Sequence, residues 1–169
     1  MKTPGAGEIG SSFARVSLLF FFILGLLIKL PADVYSQGLT PEHSRICFQK
    51  HCFVTQIARS SKERQDGLMN RDSLAADQAM IFVFENPGIY RIWMKNMQFR
   101  LDVLWLHSDG TILDCLENLP PCLNSFCPTY QPKREAAYVL ELPAGTVKRL
   151  DMKPGDRFNL PQEVSSKPN

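Results

Sequence analysis

The sequence lacks a strong charge of either sign. Its 169 residues include 19 Lys and Arg against 17 Asp and Glu, which gives a formal net charge of +2 at neutral pH. It also has no run of like charges and no basic segment with interleaved aromatic residues. Proteins that bind nucleic acid or strongly anionic membrane surfaces concentrate positive charge. The composition therefore argues against both as partners.

The sequence also lacks a hydrophobic run long enough to span a bilayer. Its long apolar run, Val16–Ile28, has 13 residues, whereas a membrane-spanning helix needs about 20. A run of this length after a polar, weakly basic stretch is typical of a secretory signal peptide. Residues 1–36 are therefore predicted to be a signal peptide. The alternative is an uncleaved anchor that extends through Pro31–Val34, and membrane contact is expected only in that case.

Both interpretations place the domain outside the cytosol, in the periplasm or the extracellular space. Loss of the signal would remove three of the 19 basic and two of the 17 acidic residues, which leaves a net charge of +1. No cysteine lies at the predicted cleavage site, so a lipid anchor is not expected.

Motifs for metal binding and for a serine nucleophile are absent. The three histidines (His43, His51 and His107) are scattered, and no cysteines have the C-x2-C spacing of zinc sites. No G-x-S-x-G motif occurs. We predict no metal site and no cofactor.

Five cysteines are present, and four of them form two closely spaced pairs. Cys47 and Cys52 are five residues apart, as are Cys122 and Cys127. In an oxidising compartment each pair is expected to form a disulfide. Cys115 lies in an apolar, strand-like run and is interpreted as a small buried hydrophobic residue.

After the signal, the chain is predicted to have a flexible lead-in (37–45), one β-rich domain (46–160) and a polar tail (161–169). Short apolar runs alternate with turn signals such as Asp109-Gly110. A capping box at Ser60–Glu63 and the segment after Pro143 predict two short helices. The predicted strands are Ile46–Phe48, Cys52–Ile57, Ala79–Phe84, Tyr90–Met94, Leu101–Leu106, Thr111–Leu116, Ala136–Leu142 and Arg157–Leu160. This pattern favours an antiparallel β-sandwich or a jelly-roll-like, partly closed barrel.

Several motifs occur together in a specific order. They are Gly67-Leu68-Met69 with Arg71, Met80–Phe84, Trp93-Met94-Lys95-Asn96, Leu101-Asp102, Cys127-Pro128, Leu140-Glu141-Leu142 and Gly155-Asp156. In this order they resemble the uncharacterised family known as domain of unknown function 192, over about residues 46–160. The resemblance implies a mostly β, jelly-roll-like single domain, often exported, with no established activity. The family usually has Gly in place of Ala79 and Thr in place of Met97.

Five residues of this region are candidates for a ligand site: Arg71, Trp93, Lys95, Asn96 and Asp102. Arg71 and Lys95 would bind an anionic group, Asp102 would orient one of them, and Trp93 would form an apolar wall. The alternative is a structural network in which Asp102 neutralises Arg71 or Lys95 and Asn96 occupies a turn. In that interpretation both tryptophans belong to the core.

The sequence thus predicts a small exported binding or accessory module of the cell envelope, with a polar pocket for an anionic group. Its partner would be a small molecule or an envelope protein. One alternative is a small envelope hydrolase or other enzyme that uses Asp102 as acid or base. Glu141, the other acid within a predicted strand, is interpreted as solvent-facing. A further alternative is a disulfide-stabilised assembly accessory without a pocket, so whether the protein is an enzyme stays open.

Overall fold

The computed structural model describes residues 42–165, so the predicted signal peptide lies outside the described residues. Within that range the strands are β1 (His43–Phe48), β2 (His51–Ala58), β3 (Gln78–Gly88), β4 (Ile92–Trp93), β5 (Leu101–Leu106), β6 (Ile112–Leu119), β7 (Thr129–Tyr130) and β8 (Ala136–Pro143). The helices are α1 (Ser61–Asp66), α2 (Thr146–Arg149) and α3 (Gln162–Ser165). None of these helices has the length and hydrophobicity needed to cross a bilayer.

Six strands form one sheet in the order β1-β2-β3-β8-β5-β6, and β4 pairs with β7 in a small second sheet. The prediction of a mainly β fold is confirmed, and the main sheet is open rather than closed into a barrel. One pairing departs from the antiparallel prediction, because β2 and β3 run parallel. A tight hairpin cannot join parallel strands, and the connection containing α1 carries the chain across. The predicted last strand, Arg157–Leu160, forms only isolated bridges.

The central strands bury side chains on both faces of the sheet. Every residue of β5 is buried, as is all of β8 before its last residue. Because successive side chains alternate between faces, the sheet separates two hydrophobic cores. The first core includes Ile81, Leu104, Leu106, Tyr138, Leu140, Leu142 and Val147. The second core includes Met80, Phe82, Met97, Leu101, Val103, Trp105 and Val139. Along β5, Leu101, Val103 and Trp105 lie on the second-core face, and Leu104 and Leu106 lie on the first-core face.

α1 begins at the predicted capping box. The Ser60 hydroxyl accepts a hydrogen bond from the Glu63 amide at 3.2 Å, and the Glu63 carboxylate accepts one from the Ser60 amide at 2.8 Å. The bond from the Ser60 backbone also lowers the pKa of Glu63. The helix ends at Gly67, whose φ of 48° and ψ of −132° suit only glycine. A Cβ at Gly67 would lie 3.4 Å from the Phe82 ring, so this helix end lies against the second-core face.

Both predicted disulfides are present. Cys47 and Cys52 are opposite each other in the β1–β2 hairpin. Cys122 and Cys127 close a short loop before β7, with their Cα atoms 5.8 Å apart. Cys115 is the one free cysteine among residues 42–165 and is partly buried against the first core. Burial, with nearby carboxylates, raises the pKa of its thiol.

The predicted Asp109-Gly110 turn joins β5 to β6. The Asp109 carboxylate accepts a hydrogen bond from the Thr111 amide at 3.0 Å, and this contact lowers the pKa of Asp109. Gly110 has a φ of 88°, and a Cβ there would clash with the Phe158 carbonyl oxygen. The turn therefore requires glycine for both conformation and space.

Candidate functional site

Asp102 is fully buried on the first-core side of β5, where it has a structural role. One carboxylate oxygen accepts from the Asn118 amide and the other from the Val147 amide, each at 2.8 Å. Val147 lies in the first turn of α2, whose N-cap is Gly145 and has no side chain to offer. Asp102, on strand β5, therefore supplies the hydrogen-bond acceptor that an N-cap side chain would otherwise provide. Its negative charge also interacts favourably with the N-terminal end of α2. The predicted neutralisation of Arg71 or Lys95 by Asp102 is wrong, because the carboxylate is bonded to these amides instead.

The two predicted anion-binding cations also have other contacts. An Arg71 terminal nitrogen donates to the Gln56 side-chain oxygen at 2.6 Å. The Lys95 ammonium lies 5.2 Å from the centroid of the Trp93 ring, within the range of a cation–π contact. Of the five predicted residues, Trp93 and Lys95 therefore form a direct pair. The structure does not bring Arg71 into that pair.

The two tryptophans have different environments. Trp105 is completely buried, and its indole nitrogen donates to the Tyr90 carbonyl at 2.8 Å. Trp93 is 47% exposed. The structural alternative, in which both tryptophans are core residues, therefore holds for Trp105 but is wrong for Trp93, because β4 lies in the outer two-stranded sheet.

Asn96 occupies a left-handed turn, with a φ of 55°. Its amide donates to the Cys122 carbonyl at 3.1 Å, and its own carbonyl accepts from the Asn70 amide at 2.9 Å. Asparagine tolerates this backbone conformation better than most residues. The W-M-K-N segment thus joins the loop after α1 to the disulfide-closed loop.

A cleft of about 160 Å³ opens on the second-core face of the sheet. One wall is the end of α1 and the Gly67–Met69 loop, and another is the segment from Phe84 to Trp93. Phe84 and Tyr90 stack on each other with their ring centroids 3.4 Å apart. Most of the lining side chains are apolar: Leu68, Met69, Phe82, Phe84, Tyr90, Ile92, Trp93, Met97 and Val139. The G-L-M, W-M-K-N and L-E-L motifs therefore contribute to one cavity.

Glu141 also lines this cleft and is its one buried acid. The residue is only 6% exposed and lies in β8 between Met80 of β3 and Val103 of β5. Among residues 42–165 no hydrogen bond or ion pair to its carboxyl group occurs. Every fully buried side-chain nitrogen or oxygen in that range has a partner, so the Glu141 oxygens are open to the cleft. Burial raises the pKa of Glu141 to about 8, and the positive charge of Arg71 opposes part of this rise. Glu141 is therefore mostly protonated at neutral pH.

Charged side chains also line the cleft. Arg64 donates to the Val83 carbonyl at 3.1 Å and lies 5.1 Å from the centroid of the Phe84 ring. The Arg91 Nε donates to the Gln131 side chain at 2.7 Å. Within the described residues, the terminal nitrogens of Arg91 have no partner. Asp66 is the other acid of the lining besides Glu141 and forms an ion pair with Lys62 at 2.6 Å, so positive charge predominates.

The solvent-facing interpretation of Glu141 is wrong. Glu141 points away from Tyr138, Leu140 and Leu142, but the face on which it lies carries the second core. The available signal was the strand itself, because Val139 makes β8 apolar on the Glu141 face as well. An acid in a strand that is apolar on both faces is a candidate buried acid.

The two strand acids do not form a catalytic pair. Asp102 and Glu141 lie on neighbouring strands, but Asp102 contacts the first-core side and Glu141 lines the cleft on the second-core side. In residues 42–165, no three His, Cys, Asp or Glu side chains gather closely enough to hold a metal ion. The arrangement is a largely apolar cleft with one buried acid.

The fold and these motifs identify a class of protein. Residues 45–160 match the model of the family DUF192, described as Uncharacterized ACR. The chain belongs to this family. No curated protein matches the chain.

Two solved structures are similar. One is described as "a putative transcription regulator" from Sinorhizobium meliloti 1021; it is 36% identical, with a TM-score of 0.63, and the match covers 70% of this chain and 94% of that one. The other is a protein of unknown function from Novosphingobium aromaticivorans DSM 12444; it is 26% identical, with a TM-score of 0.66, and the match covers 73% of this chain and 89% of that one.

Proposed function

We propose that this protein is a binding module of the cell envelope whose cleft holds a small, largely apolar molecule with an anionic group. The observation that carries the proposal is the Glu141 carboxyl group, which belongs to a residue only 6% exposed, opens onto the cleft and has no hydrogen bond to the rest of residues 42–165. Polar groups of buried residues almost always have a hydrogen-bond partner in the protein or in bound water, and the open partner position of Glu141 faces the cleft. A mostly apolar cleft with a few convergent polar groups and a perturbed acid is typical of a ligand site.

The size and lining of the cleft favour a compact ligand. Its volume is about 160 Å³, and an apolar cavity of about 150 Å³ accepts benzene. The ligand therefore has one ring or a similar aliphatic body, in contact with Phe82, Trp93 and Met97. This cleft replaces the Arg71–Asp102 neighbourhood as the proposed site, and Trp93 is the member of the predicted set that lines it.

The charges at the cleft favour an anionic substituent. Arg64 and Arg91 outnumber Asp66 there, while Glu141 is mostly neutral at pH 7. A guanidinium with free terminal nitrogens suits a carboxylate, because it can bond both oxygens at once. Arg91 supplies such nitrogens and would hold the outer end of the ligand.

An envelope location is supported by the two disulfides, which persist in oxidising compartments. The predicted signal peptide supports it as well. DNA binding, which the description of the Sinorhizobium relative would suggest, has no support in the charge: residues 42–165 carry 15 basic and 15 acidic side chains. An enzyme that uses Asp102 is not favoured, because both of its oxygens are bonded to buried amides.

Trp93 provides the test of this proposal. Substituted benzoates, and any small molecules that co-purify with the protein, would be titrated while tryptophan fluorescence is recorded. Binding should change the Trp93 emission, and Trp93→Phe should abolish the signal because Trp105 is sealed in the core.

Arg91→Ala should weaken binding about tenfold, the loss expected for a charge-assisted hydrogen bond. The exposed Arg134→Ala is the matched control. Equal affinities in the two arginine variants would contradict the proposed anion contact.

A further inference from the structure

The proposed cleft contains the buried acid Glu141, and the other charged residues of its lining are predominantly positive. Building on the proposed function, we infer that Glu141 donates its proton in a hydrogen bond to an oxygen acceptor at the buried end of the ligand. The ligand class is then a compact molecule with a carbonyl-type oxygen at one end and an anionic group at the other. Binding of this ligand requires protonated Glu141.

The groups around Glu141 favour a neutral acceptor over a cation. Arg64 and Asp66 face the cleft from α1, while Tyr90 and Arg91 face it from the segment after β3. Arg71 adds positive charge from the loop before β3. The neighbours of Glu141 on the adjacent strands, Met80 and Val103, are uncharged. A ligand ammonium would therefore enter against three guanidinium groups with one carboxylate in its favour.

Protonation decides what Glu141 offers to a ligand. A neutral carboxylic acid has one donor, whereas a carboxylate only accepts. An ionised Glu141 would repel the partial negative charge of a ligand carbonyl oxygen, and burial weakens the screening of that repulsion by solvent. Because burial keeps the pKa of Glu141 near 8, the donor form is present through neutral pH and disappears in mildly alkaline solution.

Three probes that differ only at the buried end test this inference. 4-Acetylbenzoate carries the acceptor, 4-isopropylbenzoate has the same shape without it, and 4-(1-aminoethyl)benzoate carries a cation. Their affinities would be measured by Trp93 fluorescence for the wild type, for Glu141→Gln and for Glu141→Met. Thermal unfolding would confirm that each variant is folded.

In the wild type at about pH 6, the acetyl probe should bind about tenfold more tightly than the isopropyl probe, and this advantage should fall about tenfold by about pH 9. Glu141→Gln should keep the advantage without the pH dependence, because its amide donates at every pH. Glu141→Met should lose the advantage and still bind the isopropyl probe.

Tighter binding of the aminoethyl probe would overturn the inference, as would a wild-type acetyl advantage that is independent of pH. Both results would leave the binding function intact. Failure of all three probes to bind at any pH would instead remove the proposed function itself.

Discussion

Glu141 should make the folded protein lose stability as the pH rises from mildly acidic to neutral. Its ordinary pKa of 4.5 is raised to about 8 in the folded state. This stabilising contribution is complete below the unfolded pKa and is lost as the pH rises through the folded pKa. One pKa unit corresponds to about 1.36 kcal/mol, so the free energy of unfolding should fall by about 2.5 kcal/mol between about pH 5 and about pH 7.

Urea unfolding at several pH values would measure this effect. Glu141→Gln keeps the shape of the protonated side chain and cannot ionise. Its stability relative to the wild type should therefore rise by about 2.5 kcal/mol over the same pH interval. The exposed Glu135→Gln serves as the control and should follow the wild-type curve. Parallel pH profiles for Glu141→Gln and the wild type would refute the assignment of a neutral, buried acid to the cleft.

Four other predictions follow from the fold. Asp102→Ala leaves two buried amides without acceptors and should lower the free energy of unfolding by about 3–5 kcal/mol; a loss below about 1 kcal/mol in urea denaturation would contradict its structural role. Gly110→Ala combines a left-handed φ with a backbone clash and should cost more than about 1 kcal/mol in thermal unfolding. Replacing Cys47 and Cys52 together by serine should cost about 2 kcal/mol, the loop-closure entropy of so short a loop. Thiol titration of the denatured, unreduced wild type should find one thiol, Cys115, and two more would refute the disulfide pairing.

Much of the local structure was predictable because its causes lie close together in the chain. The capping box of α1 needs only Ser60 and Glu63, and the Asp109-Gly110 turn needs only its own two residues. The hairpin disulfide joins residues that its two strands place opposite each other. The alternation along β5 followed from the fixed geometry of a strand.

The candidate site was less predictable because it depends on which strands become neighbours. Trp93, one of the predicted site residues, lines the cleft. Asp102 was selected because a charged residue in an apolar strand suggests a site. The amides that bind Asp102 come from Asn118 and Val147, which are 16 and 45 residues away. No local pattern indicates such partners.

The sequence by itself determined the mainly β class, the two disulfide pairs, the family motifs and the face of each central strand on which a residue lies. Only the tertiary structure decided that both faces are covered, that the motifs after α1 and around Trp93 meet above β8, and that Glu141 lies between them. The physical reason is that the side-chain period of a strand is local, whereas burial depends on what packs against that strand from elsewhere in the chain.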